Sequence, residues 1–177
     1  MQMGTVRMTP DKEMLFETFV RLRRGDLLIA AIALAAGDRH LAEDLVQTTL
    51  VRLYLRWPRL QQDNVMAYAR RSLVNGLLDH RRRSFIRHES TVSELPEQAT
   101  ASDEGSGMDA DLMTALAALP PRMRATIVFR FVDGLSVEET AAALGCSPGT
   151  VKSQSARALE KLRDSLTPAL FPSTART

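Results

Sequence analysis

The chain has 177 residues, 45% of them hydrophobic and 25% charged, with a net charge of +2. That balance describes one folded domain or two small ones, and it excludes a disordered chain or one held together by overall charge. Any nucleic-acid surface has to come from local clustering of cations. The one cysteine, Cys146, excludes an intramolecular disulfide and a cysteine-based zinc site.

The N-terminus lacks the basic region, apolar core and cleavage site of a targeting segment. The longest apolar run, Leu27 to Ala36, is too short for a bilayer, which takes about 20 residues. The expectation is a cytoplasmic protein without a membrane partner.

Thr9-Pro10 opens a helix, with Asp11 and Glu13 at its positive end and Leu15, Phe16, Phe19 and Leu22 as its apolar stripe. Gly25 is read as a break or a bend before a helix over 27–36, which Gly37 ends. Asp38 caps a helix running to Trp57, where Pro58 stops it. Ala42, Val46, Leu50, Leu53 and Trp57 give its core side, and Glu43, Asp44 and Gln47 share a neighbouring face with Val51 and Leu55. Two readings of that face stand: a protein-docking surface, or a solvated rim beside a broad core stripe.

A helix from Val65 to Arg83 follows, with Met66, Ala69, Leu73 and Leu77 inward. Tyr68, Arg71, Asn75, Asp79 and Arg82 line the reverse side, and Arg81, Arg83 and Arg87 add positive charge. A ring, guanidinium groups and an amide on one face suit single-stranded nucleic acid, through stacking, phosphate contact and edge reading; the other reading is a solvated basic face with Tyr68 partly buried. From Glu89 to Asp111 there are seven carboxylates and no Lys or Arg, with Pro96, Gly105 and Gly107 as breakers. This reads as a flexible acidic linker.

Helical periodicity returns at Leu112. Ser136 and Glu139 form a capping box, Val137, Ala141 and Leu144 a short stripe, and Gly145 a stop. Ser147 caps the next helix, with Pro148 at its first position and Cys146 as a small plug in the turn. Val151, Ala158, Leu159 and Leu162 fall on one side of that helix; Thr150, Ser153, Gln154, Arg157 and Lys161 fall on the other. This is a helix-turn-helix whose second helix suits the major groove of duplex DNA. The tail after Leu166, with Pro168 and Pro172, is read as frayed. The fold expected is all-α: a first domain over 10–88, the linker over 89–111 and the helix-turn-helix domain over 112–166.

His40, His80 and His88 show no ligand spacing, and the carboxylates lie in the linker or on an outer helical face. No metal site, cofactor or catalytic residue is expected, and an enzyme such as a recombinase is disfavoured. A free-standing repressor or activator, dimeric on a palindromic operator, is the competing reading.

The ordered set of Ala42-Glu43-Asp44-Leu45-Val46-Gln47, Arg56-Trp57-Pro58-Arg59-Leu60, Ala67-Tyr68-Ala69-Arg70-Arg71-Ser72-Leu73-Val74-Asn75, Ala118-Leu119-Pro120-Pro121-Arg122-Met123-Arg124 and the helix-turn-helix resembles extracytoplasmic-function sigma factors. It is most similar to a sigma-E-like subgroup found in actinobacteria. The resemblance implies a dissociable subunit that takes RNA polymerase core enzyme to particular promoters. It implies that Glu43, Asp44, Gln47 and Val51 meet the core enzyme, and that Tyr68, Arg71, Asn75, Asp79 and Arg82 open and hold the downstream element. Thr150, Lys152, Ser153, Gln154 and Arg157 would read or clamp the upstream element, Lys152 through phosphate. Anti-sigma proteins commonly cover both faces in relatives, so the resemblance adds such a partner as a candidate. Many relatives carry Arg at the position of Gln154 and a Trp near Tyr68. In relatives the linker threads the active-site cleft, so its seven carboxylates are read either as an RNA mimic or as a solvated spacer.

Overall fold

The computed structural model describes residues 9–89 and 110–170. Every regular element among them is helical. Three helices make the first half: α1 (Pro10–Leu34), α2 (Arg39–Arg56) and α3 (Val65–Glu89). Four make the second: α4 (Ala110–Ala118), α5 (Pro121–Ile127), α6 (Val137–Leu144) and α7 (Pro148–Leu170).

α1 is one helix of 25 residues, so of the break or bend expected at Gly25 the break does not occur. A Cβ at Gly25 would have nothing within 4 Å, so the glycine sits on the open side and the chain simply continues. Its propensity cost, about 1 kcal/mol, is outweighed by the apolar turns that follow. Leu27, Ala30, Ala31 and Leu34 are all buried there. The expected stripe of the first turns also splits. Phe16 packs edge-on against Tyr54 and Trp57, with centroids 5.2 and 5.1 Å away, and Phe19 lies 5.4 Å from Trp57. Leu15 and Leu22 point to solvent. Phe16, Phe19, Leu27, Ala30 and Leu34 keep the buried side at helical spacing, which turns Leu15 and Leu22 away.

Gly37, at φ +90°, reverses the chain, and the Asp38 carboxylate accepts the Leu41 N–H at 2.9 Å to start α2. α2 buries Ala42, Leu45, Val46, Thr49 and Leu53 and ends in a 3-10 turn over Trp57–Arg59. Where α2 and α3 cross, a Cβ on Gly76 would come within 2.9 Å of a Leu45 methyl. α3 runs past Arg83 to Glu89, and α4 starts at Ala110, so both ends of the acidic stretch are helical. The rest of that stretch, with five of the seven carboxylates read as an RNA mimic or a solvated spacer, lies outside the described residues.

The second half closes around Met113, Leu116, Leu119, Ile127, Ala158 and Leu162. α5 passes into a π turn over Val128–Val132, which the sequence reading missed. The turn rotates the chain so that Val128 and Phe129 are fully buried while Phe131 is 55% exposed. Ala125, Val128, Phe129, Leu135 and Ala143 join the core of α1–α3, so one apolar interior crosses between the halves. α7 continues to Leu170 through Pro168, and the rest of the tail read as frayed, residues 171–177, lies outside the described residues.

Candidate promoter and polymerase interfaces

On α2, burial of the Ala42–Leu53 side forces Glu43, Asp44 and Gln47 outward. They share that outer surface with Val51 and Leu55, which are 58% and 56% exposed. The face is therefore continuous, acidic at one end and apolar at the other. Exposed apolar residues beside carboxylates are a common composition for a docking surface.

α3 separates its predicted residues more than the sequence suggested. Tyr68 is half-buried against the core. Asn75 is exposed, and Arg71 sends its guanidinium to the Ala142 carbonyl at 2.8 Å. Asp79 pairs with Arg52 of α2 at 4.0 Å and with Arg82 at 3.7 Å. Arg52 thus holds a carboxylate that the sequence assigned to DNA alone. Arg81, Arg82 and Arg83 are exposed together at the end of the face.

The helix-turn-helix forms as its caps dictate. The Ser136 hydroxyl accepts the Glu139 N–H at 3.0 Å, and Glu139 accepts the Ser136 N–H at 2.8 Å. Those bonds hold the Glu139 carboxyl below its ordinary 4.5. Gly145 ends α6 at φ +64°, ψ +42°, and the Ser147 hydroxyl accepts the Thr150 N–H at 3.1 Å to open α7. α7 buries Val151, Ala158 and Leu162. Leu159, expected on that side, is 40% exposed, because it follows Ala158 by one position and turns onto the rim.

The five predicted residues of α7 divide. Lys152, Ser153 and Arg157 face solvent. Thr150 and Gln154 are half-buried and border a crevice that Asn75 of α3 also lines. Gln154 Oε1 lies 2.8 Å from the Thr126 hydroxyl, which also lies 3.0 Å from the Arg122 carbonyl. A hydroxyl has one proton. If it goes to the Arg122 carbonyl, Thr126 accepts from Gln154 through its amide nitrogen, and the Gln154 oxygen faces out.

Arg124 was quoted in the sequence as part of a motif, without a role. It is 5% exposed and donates to three carbonyls: Leu34 at 2.8 Å, Ala117 at 3.0 Å and Leu119 at 3.3 Å. Burial, and then the charge of Arg81, lower its pKa from the usual guanidinium range to about 10. Arg70 and Asp133 form an ion pair at 2.7 Å, both side chains more than four-fifths buried. The available signal was a cation inside an apolar repeat: Arg70 beside Ala69 and Leu73, Arg124 before Ala125 to Phe129. Among the described residues no cluster of His, Cys, Asp and Glu could hold a metal, and no helix is long and apolar enough to cross a membrane.

Two family models match the chain: Sigma-70 region 2 over residues 17–84 and Sigma-70 region 4 over residues 109–162. The RNA polymerase sigma-E factor of Streptomyces coelicolor is 40% identical over 155 residues, covering 85% of each chain. The ECF RNA polymerase sigma factor SigE of Mycolicibacterium smegmatis is 37% identical over 139 residues, 74% of this chain and 54% of that one. The sigma factor RpoE of Bartonella quintana, solved with the anti-sigma factor NepR, superposes with a TM-score of 0.68 at 28% identity, covering 86% of this chain and 96% of that one. CnrH, solved with the cytosolic domain of CnrY, gives 0.63 at 25% identity, covering 88% and 89%. With region 2 on the α1–α3 half, region 4 on the helix-turn-helix half and this likeness across both, the chain belongs to the extracytoplasmic-function family of RNA polymerase sigma factors, of the sigma-E-like type.

Proposed function

We propose that this chain divides the work of an alternative sigma factor among three surfaces. The function itself follows from the family: it binds RNA polymerase core and directs transcription initiation at chosen promoters. The observation that carries the division is the outer face of α2, where Glu43, Asp44, Gln47 and Val51 stand exposed together on one helix. That face docks on core polymerase. The α3 face, through Tyr68, Arg71, Asn75, Asp79 and Arg82, engages the melted downstream element. Asn75 offers a free amide edge, and the row Arg81–Arg83 supplies phosphate contacts. On α7, Lys152, Ser153 and Arg157 contact the upstream duplex, and Thr150 and Gln154 read it once the crevice opens.

Its role, on the family likeness, is that of a non-catalytic subunit acting beside polymerase in the cytoplasm. Its domains follow the two helical halves, 10–88 and 112–166, with the acidic stretch 89–111 between. RpoE was solved with the anti-sigma factor NepR and CnrH with the cytosolic domain of CnrY, which makes an anti-sigma protein a fitting regulator here.

The separating experiment uses purified core polymerase and run-off transcription on a genomic promoter library. Asp44→Ala weakens core binding. Arg157→Ala spares core binding and weakens promoter recognition by about tenfold, the loss of one good groove or phosphate contact. If both variants fail at the same single step, this division of labour is wrong.

A further inference from the structure

We propose that Thr126 is a positioning residue for promoter specificity: it holds the Gln154 amide with its oxygen free, so that α7 selects, at one position of the upstream element, a base that carries an amino group. The proposal rests on the sigma-factor reading, which gives α7 a duplex to read. It adds a residue outside α7 that decides what one side chain of α7 can read.

Thr126 lies on α5 and is 0% exposed. Its hydroxyl has two polar neighbours, the Arg122 carbonyl at 3.0 Å and the end of the Gln154 amide at 2.8 Å. The hydroxyl can donate one hydrogen bond and accept others. With the Gln154 oxygen toward it, one of the two contacts is oxygen against oxygen with no proton between. With the Gln154 nitrogen toward it, both contacts are hydrogen bonds. Thr126 then donates to the Arg122 carbonyl, four residues back on its own helix, a bond that helical threonines commonly make. It accepts from Gln154 Nε2. The two ends of an amide have the same shape, so the proton count decides between them. A contact left without a proton in a buried place is the costly alternative.

Both residues belong to the helix-turn-helix half, Thr126 on α5 and Gln154 on α7. Gln154 is half-buried at the edge of the face that carries exposed Ser153 and Arg157. Anchored by its nitrogen, it turns its oxygen away from Thr126 as an acceptor. In the major groove only adenine and cytosine present an amino donor, at N6 and N4, and guanine and thymine present oxygen acceptors instead. A fixed acceptor therefore favours adenine or cytosine and is repelled by the other two. Lys152 and Arg157 on the same helix can only donate, so they cannot supply this selectivity. Ser153 has already given its proton to the Thr150 carbonyl at 3.0 Å, and the Thr150 hydroxyl is engaged with Ser147 at 2.9 Å. Without Thr126, Gln154 is free to turn either end of its amide outward and accept or donate as the base requires.

The experiment uses the full-length chain with core polymerase on a promoter library whose upstream element is randomised, and sequences the templates that give run-off transcripts. Wild type should favour adenine and cytosine over guanine and thymine by about tenfold at one position, which Gln154→Ala identifies by losing the preference. Thr126→Val keeps the shape and removes the hydroxyl. It should cut the preference about fivefold at that position alone, with the other positions and co-elution with core unchanged. Thr126→Ser, which keeps the hydroxyl, should restore it. Three results would overturn the proposal: a preference that Thr126→Val leaves intact, a loss spread evenly over all positions, as a merely structural prop would give, or a Thr126→Ser chain that behaves like Thr126→Val. So would a Gln154→Ala chain with no altered position. Should Thr126→Val fail to fold by circular dichroism, nuclear magnetic resonance of the labelled wild-type chain carries the test. One Gln154 amide hydrogen should show slowed exchange and a cross-peak to Thr126, and two freely exchanging hydrogens would contradict the assignment. Absence of any run-off by the wild-type chain tells against the sigma-factor reading itself, and run-off with an unaltered preference in Thr126→Val tells against Thr126 alone.

Discussion

Arg124 Nη1 lies 2.8 Å from the carbonyl oxygen of Leu34, a residue 90 positions earlier, and so completes the last turn of α1 from the other half of the molecule. No carboxylate is among the three groups to which it donates; all are helix-end carbonyls. Burial of the cation is unfavourable in itself, and the lowered pKa of about 10 records that. What holds the guanidinium in place is the carbonyl geometry. Arg124→Met should therefore destabilise the chain by about 3 kcal/mol, since it leaves buried carbonyls without donors. Urea unfolding of the two proteins measures this. Because the folded pKa lies below the unfolded one, the unfolded chain binds more protons above about pH 10. This group alone makes stability rise with pH there, and the rise should be absent in the Met variant.

The shared core makes a second prediction. Phe129 is 0% exposed in a cluster that reaches from α1 to the π turn. Phe129→Ala should cost about 4 kcal/mol, the usual toll for a large cavity. Because this cluster belongs to both halves, the loss should appear as a lowered midpoint for one cooperative transition in calorimetry, without a separate early melt of the helix-turn-helix.

Gly145 is the third. Its φ of +64° is expensive for any residue with a Cβ, and such a Cβ would also stand 3.4 Å from the Arg71 guanidinium. Gly145→Ala should destabilise by about 1–2 kcal/mol, seen in the denaturation midpoint.

The capping box gives the pH prediction. Folding lowers the Glu139 pKa from 4.5 because its carboxylate accepts from Ser136. Its contribution is fully present above the unfolded value and disappears as the pH falls through the folded one. Glu139→Gln keeps the hydrogen-bonding shape and removes the titration. The stability gap between wild type and this variant should shrink as the pH falls below 4.5, checked by denaturation at stepped pH. Ser136→Ala should cost about 1 kcal/mol at neutral pH.

The docking face of α2 supplies the last of these variants. Val51 is 58% exposed, so Val51→Lys should leave stability within about 0.5 kcal/mol. It should nevertheless weaken the complex with core polymerase, read by co-elution or anisotropy.

Local signals were the most legible part of the sequence. Ser136 with Glu139, Gly145, Ser147-Pro148 and Asp38 each announced a cap or stop that the structure contains, because caps depend on neighbours within a few residues. The inward faces of α2 and α3 were legible for the same reason. Gly25 misled because a glycine weakens a helix without ending it when the flanking turns bury well. Leu15 and Leu22 misled because Phe16 and Phe19 took the buried side. The Arg124–Leu34, Arg70–Asp133 and Arg71–Ala142 contacts join residues 63 to 90 positions apart. No periodicity encodes such pairs. The π turn at Val128–Val132 likewise has no pattern of its own beyond an apolar run.

The most direct measurement of the central claim mixes the purified chain with bacterial core polymerase and follows both association and run-off transcription on genomic promoter fragments. The account predicts co-elution of the chain with core and start sites that core alone does not use, with Asp44→Ala lost from the first and Arg157→Ala from the second. Absence of co-elution, with no start sites beyond those of core alone, would contradict it.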